Sequence, residues 1–96
     1  MSQEVQTNLS KIKKQISNHS NRLTNKVVIN VWKGTHDIKD NISGVSVSND
    51  KGLNIANLEL VQLECDHNYL ELAKIVGEKL AEDLKSENYD VELVIF

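Results

Sequence analysis

Lys26-Val27-Val28-Ile29-Asn30-Val31-Trp32-Lys33 is the stretch on which the fold turns. Branching at Cβ crowds a helical turn but packs well on a pleated surface, so this run reads as a strand. Side chains alternate along a strand, which puts Val27, Ile29 and Val31 on one face and Val28 and Trp32 on the other. Both faces are apolar. That predicts a central strand with cover on each side, the N-terminal helix being a candidate for one of the covers.

Downstream, Gly34 to Asn41 is a polar loop, and Ser43 to Ser48 alternates again with Val45 and Val47 pointing together. Asn49-Asp50-Lys51-Gly52 supplies a type I turn whose glycine can take positive φ, the chemistry of a short hairpin loop. The return strand runs from Leu53 to about Glu64. Leu58 and Leu60 share one of its faces and Val61 and Leu63 the other, so either a bulge near Leu60-Val61 or burial on both faces is expected. Asp66 is placed to cap a helix from about His67 to Lys85, in which Leu70, Ala73, Val76, Leu80 and Leu84 recur at helical spacing. Asn88 suits the left-handed end of that helix, and Tyr89 to Phe96 forms a last strand.

Upstream, Val5, Leu9, Ile12, Ile16, His19 and Leu23 recur alternately four and three residues apart, the heptad pattern of a helix with a narrow apolar stripe. A helix from about Ser2 to Leu23 is expected. Its stripe either packs on its own domain or forms the seam of a dimer, and His19 sits on it as a register-setting polar residue or a half-exposed one.

The predicted fold is α+β, in the order helix-strand-strand-strand-helix-strand. A meander followed by a helical crossover gives a four-stranded mixed sheet of order 3-2-1-4, with strands 1 and 4 expected to be central or nearly so. Residues 1–96 form a single domain, with residues 1–24 a basic amphipathic helix and residues 26–96 the body of sheet and helix.

The net charge of −3 conceals an asymmetry. Residues 1–34 hold Lys11, Lys13, Lys14, Arg22, Lys26 and Lys33 against the single anion Glu4, so the remainder is strongly acidic. A basic arm on an acidic body can grip nucleic acid, an acidic protein, or its own body. The single cysteine, Cys65, precludes an internal disulfide and predicts a reducing compartment, the cytoplasm. The polar start is followed by no apolar run, so neither a signal peptide nor a membrane span is expected. The absence of proline and the abundance of Asn, Lys and Ile point to an A/T-rich coding sequence, as in low-GC bacteria, their phages and mobile elements.

Ala73-Lys74-Ile75-Val76-Gly77, continuing to Glu92-Leu93-Val94-Ile95-Phe96, resembles the helix-strand unit of a bacterial large-subunit ribosomal protein family. That family grips RNA through dense basic segments, and the corresponding region here is acidic. The helix-three-strands-helix order is similar to that of double-stranded RNA-binding domains, which place lysines at the start of the second helix. Here Asp66, His67, Asn68, Tyr69 and Glu71 stand there, and Lys74 is the first cation.

Cys65-Asp66-His67 is the densest cluster of reactive side chains, with His36-Asp37 as a second contributor. No CxxC or HxxxH spacing accompanies them, no third group orients a Cys/His pair, and no phosphate-binding glycine pattern is present, so neither metal nor cofactor is expected. Glu78, Glu82 and Asp83 read as a solvated helix face. The expectation is a non-enzymatic adaptor, inhibitor or assembly subunit that binds a protein partner or a second copy of itself through the N-terminal helix, with Lys11, Lys13, Lys14, Arg22 and Lys26 at the contact. Binding of RNA through the same cations is the first alternative, and a small-ligand or enzymatic site at the Cys65 corner is the second.

Overall fold

The computed structural model describes residues 3–34, 42–62 and 68–96. The elements are α1 (Gln3–Asn18), β1 (Lys26–Lys33), β2 (Ile42–Asn49), β3 (Asn54–Val61), α2 (Tyr69–Ser86) and β4 (Asp90–Ile95), with a 3-10 turn at Ser20–Arg22. The four strands form one sheet in the order β3-β2-β1-β4, as the meander and crossover require. β1 pairs antiparallel with β2 and parallel with β4, and β2 pairs antiparallel with β3.

Both helices lie on the same face of the sheet. α1 packs on β3 and α2, while α2 packs on β4, β2 and β1. The core between the layers holds Val27, Ile29 and Val31 of β1, Val45 and Val47 of β2, Ile55, Leu58 and Leu60 of β3, and the apolar stripes of both helices. This corrects the expectation that α1 would cover one face of β1 and another element the second. The second face has no covering layer among the described residues; its apolar groups are sheltered by neighbours in the plane of the sheet. Trp32 lies across Gly44, where a Cβ would collide with the indole ring and with the Leu58 carbonyl. The Trp32 Nε1–H donates to Ser46 Oγ at 3.0 Å, and Ser46 in turn reaches Asn57 Oδ1 at 2.8 Å. Glycine opposite an aromatic ring leaves room for the ring to lie flat, so a tryptophan on an open face is shielded without a second layer.

β4 is likewise corrected from central or near-central to an edge strand. In the order 3-2-1-4 only β1 and β2 have neighbours on both sides. Val94 on the open face of β4 is 43% exposed, whereas Val91 and Leu93 face α2 and are partly buried.

The hairpin loop takes the form its residues dictate. Gly52 has φ of 80°, its N–H donates to Asn49 O at 3.1 Å, and Asn49 N–H donates to Leu53 O at 3.0 Å, a type I turn followed by a left-handed glycine. The buried Asn49 side chain accepts from the N–H groups of Lys51 and Leu53 and donates to Arg22 O, tying the loop to the segment after α1. The bulge in the meander lies at Ile55, where Val47 pairs with Ala56 and Ser48 with Asn54, and not at Leu60-Val61. The extra residue lets Ile55 and Ala56 both enter the core.

α2 begins two residues later than its sequence indicates. Asn68 is the cap, its side chain accepting from Leu70 N–H at 2.9 Å and Glu71 N–H at 3.1 Å; Asp66 and His67 lie outside the described residues. At the other end Asn88 takes φ of 73°, Tyr89 N–H bonds Leu84 O, and Asn88 N–H bonds Lys85 O. This double closure satisfies carbonyls that the helix end would otherwise leave bare and sends the chain back into β4.

Two substitutions test this reading of the loop by thermal or denaturant unfolding. Gly52→Val is expected to destabilise the fold by about 1 kcal/mol or more, since a branched side chain resists positive φ. Asn49→Ala is expected to cost about 2 kcal/mol, because two backbone donors and the Arg22 carbonyl lose their part-buried partner. Equal midpoints for wild type and either variant would show the turn to be wrongly described. A third, Gly77→Ala, is expected to be net destabilising by about 1 kcal/mol despite alanine's better helix propensity. Its Cβ would collide with Cγ2 of Val31, a stiff side chain with no exposed surface.

Candidate interaction surfaces

The stripe of α1 is spent inside the domain. Ile12 is fully buried, and Val5, Leu9 and Ile16 are no more than 7% exposed. Each such side chain contributes roughly 1.5–3 kcal/mol when buried, against about 0–1 for an exposed ion pair, so the stripe decides where the helix lies and the charges adapt to it. Leu23 packs against the core from beyond the helix. His19 departs from the expected stripe: the α-helix ends at Asn18, and His19 is exposed at the start of the 3-10 turn.

The five cations expected at a contact divide into two groups. Lys13 pairs with Asp83 of α2, Lys26 pairs with Glu92 of β4 at 3.5 Å, and Arg22 Nη1 donates to Asn54 O at 3.1 Å. Asp83 therefore serves a helix-helix contact and not the open solvated face expected of it, whereas Glu78 and Glu82 are exposed. Lys11 and Lys14 are exposed and have no ion-pair partner among the described residues. Part of the basic arm thus docks on the acidic body, and two lysines of its outer side remain available.

α1 also does something that stripe and charge give no hint of. The Gln15 side chain donates from Nε2 to Asn57 O at 2.7 Å and accepts at Oε1 from Asn57 N–H at 2.9 Å. A primary amide offers the same donor and acceptor as a peptide group, so Gln15 occupies the place of a neighbouring strand at the middle of β3. Arg22 covers Asn54 O on the same edge. Exposed strand edges recruit other strands, and these two side chains block the Asn54–Asn57 part of this one.

The opposite edge has no such guard among the described residues. Asp90 N–H donates to Asn25 O and Phe96 N–H to Val31 O, so the even-numbered residues of β4 turn their peptide groups toward β1. Alternation then turns the N–H and C=O groups of Val91, Leu93 and Ile95 outward. Beside this edge, Val94, Ile95 and Phe96 are 43, 38 and 41% exposed; among the described residues the remaining exposed large apolar residue, Leu53, belongs to the hairpin. The Phe96 ring is held between Lys33 Nζ at 5.4 Å and Lys74 Nζ at 5.2 Å. Two cations over one ring fix its orientation without removing it from solvent.

A cleft of about 460 Å³ lies where the C-terminal ends of α1 and α2 meet, with Ile16, Leu23, Leu80 and Leu84 among its apolar lining and Ser17, Ser20, Ser86 and Tyr89 among its polar groups. The Lys13–Asp83 pair lies at this cleft. Among the described residues, no three of His, Cys, Asp and Glu converge as metal ligands would, and no helix is long and apolar enough to cross a membrane. Cys65, Asp66, His67, His36 and Asp37 lie outside the described residues. No family model, curated protein or solved structure matches the chain.

Sequence reasoning identified the stripe and the cations but missed Gln15 and the bare edge of β4. Gln15 is expected to matter measurably. Gln15→Ala should lower stability by about 1 kcal/mol and, by uncovering Asn57, speed aggregation on mild heating. Urea unfolding with light scattering during a temperature hold checks both, and a variant that aggregates no faster than wild type would show that the β3 edge needs no guard.

Proposed function

We propose that the protein works by binding other protein chains, as an adaptor, inhibitor or assembly subunit, and not by catalysis. The observation that carries this reading is the unequal treatment of the two sheet edges. One is closed by side chains of α1 and of the turn after it, whereas the other presents outward peptide groups beside exposed Val94, Ile95 and Phe96. An apolar edge of this kind is costly to leave in water and useful when a second chain covers it.

The N-terminal helix takes a different part from the one its heptads imply. Its stripe secures the domain, and its share in recognition is the outer basic face at Lys11 and Lys14, suited to an acidic protein surface. Nucleic acid is the weaker reading, because Lys13, Arg22 and Lys26 already bond within the domain and two lysines make a small phosphate footprint.

A photo-crosslinking residue placed at Val94, at Lys14, or at Glu78 on the outer side of α2 tests the proposal in the cell that makes the protein. Discrete protein adducts from Val94, with or without adducts from Lys14, and none from Glu78 are expected. Absence of adducts from both Val94 and Lys14 would remove the basis of the reading.

A further inference from the structure

We propose that the chain covering β4 is a second copy of this protein, paired β4 to β4 in antiparallel fashion about a two-fold axis at Leu93. The inference rests on the binding role given to this edge and adds the identity of the partner and the register of the contact.

The register follows from which peptide groups are free. Only Val91, Leu93 and Ile95 turn their N–H and C=O groups away from β1. In an antiparallel pair centred on Leu93, Val91 meets the partner's Ile95, Leu93 meets the partner's Leu93, and Ile95 meets the partner's Val91. Each of these pairs exchanges two backbone bonds, so every outward group of the strand is satisfied. The contact is isologous, as a two-fold requires, and it joins two four-stranded sheets into one continuous sheet.

Charge selects this register over its neighbours. Asp90 and Glu92 occupy the first half of β4, and Val94 and Phe96 follow in the second. Centred on Leu93, the pairing sets Glu92 opposite the partner's Val94 and Asp90 opposite the partner's Phe96, so no carboxylates face each other. Sliding the strands to centre on Glu92 would place that residue opposite its own copy, and like charges directly opposite are destabilising. Centring on Val94 would carry Val91 past the partner's β4, whose last residue is Ile95. The favoured register also continues the partly buried row of Val91 and Leu93 across the seam and covers Ile95.

β4 carries few of the devices that keep edges apart. It has no proline and no lysine, its strand pairing with β1 is regular, and its two carboxylates stand on the open face, not the covered one. β3, by contrast, is bulged and closed by Gln15 and Arg22. A molecule that guards one edge and leaves the other regular, apolar and self-complementary is built to pair through the second.

The full chain should double in mass in light scattering as its concentration rises through the micromolar range, the affinity expected of a short edge contact. Ile95→Pro should keep it monomeric with an unchanged circular dichroism spectrum, since this proline removes an outward N–H and no bond to β1. Disulfide trapping reads the register independently of that variant's folding. In a Cys65→Ser background, Glu92→Cys mixed with Val94→Cys should form a cross-linked dimer on mild oxidation, while neither protein alone should do so. A wild type that stays monomeric across the range would overturn the proposal, as would a dimer indifferent to Ile95→Pro or a mixture that does not cross-link. Adducts from Val94 to an unrelated protein, with no dimer, would overturn this inference while leaving the wider binding role intact.

Discussion

Burial of Val5, Leu9, Ile12 and Ile16 against the β3 side of the sheet is the contact on which the other features depend. A helix seated there presents Gln15 to the backbone of Asn57 and Lys13 to Asp83, and it leads through the 3-10 turn to Arg22 and Asn54. The apolar contribution is several times larger than any of these polar contacts, so the polar groups are set by it and not the reverse. With both helices on one face, the described residues form two layers, and among them the far face of the sheet is left to side chains of the sheet itself.

Polar groups on the open face offset its apolar ones. Trp32 rests on Gly44 and donates to Ser46, Ser46 reaches Asn57, and the Asn54 and Asn57 amides bond each other. A polar ladder thus runs from Trp32 of β1 across β2 to β3 on this face. The layering also places helix and edge side by side: the helix that completes the core is the one whose Gln15 covers the backbone of Asn57 on the β3 edge.

Local chemistry was legible in the sequence where it was written in neighbouring residues. The Asn49–Gly52 turn, the left-handed Asn88, the bounds of β1 and the strand order all follow from short-range patterns and the handedness of crossovers. The cap of α2 was misplaced because Asp66 and Asn68 are both good caps and only the geometry of Leu70 and Glu71 selects the second. β4 reads as central because apolar residues on both faces signal a central strand, and an edge strand that keeps Val94 exposed on its open face carries the same signature. Gln15 left no trace, since a glutamine on the flank of an amphipathic helix looks like any solvated residue until a strand 42 positions away is brought beside it. The basic arm was visible as composition, but its division into docked and free cations depends on where α2 and β4 lie.

Residue-resolved amide hydrogen exchange tests the asymmetry of the edges most directly. The account predicts that the Asn57 amide is protected at every protein concentration, while the amides of Val91, Leu93 and Ile95 exchange rapidly in dilute solution and become protected as concentration rises. Protection of all three β4 amides at high dilution, or free exchange at Asn57, would contradict it.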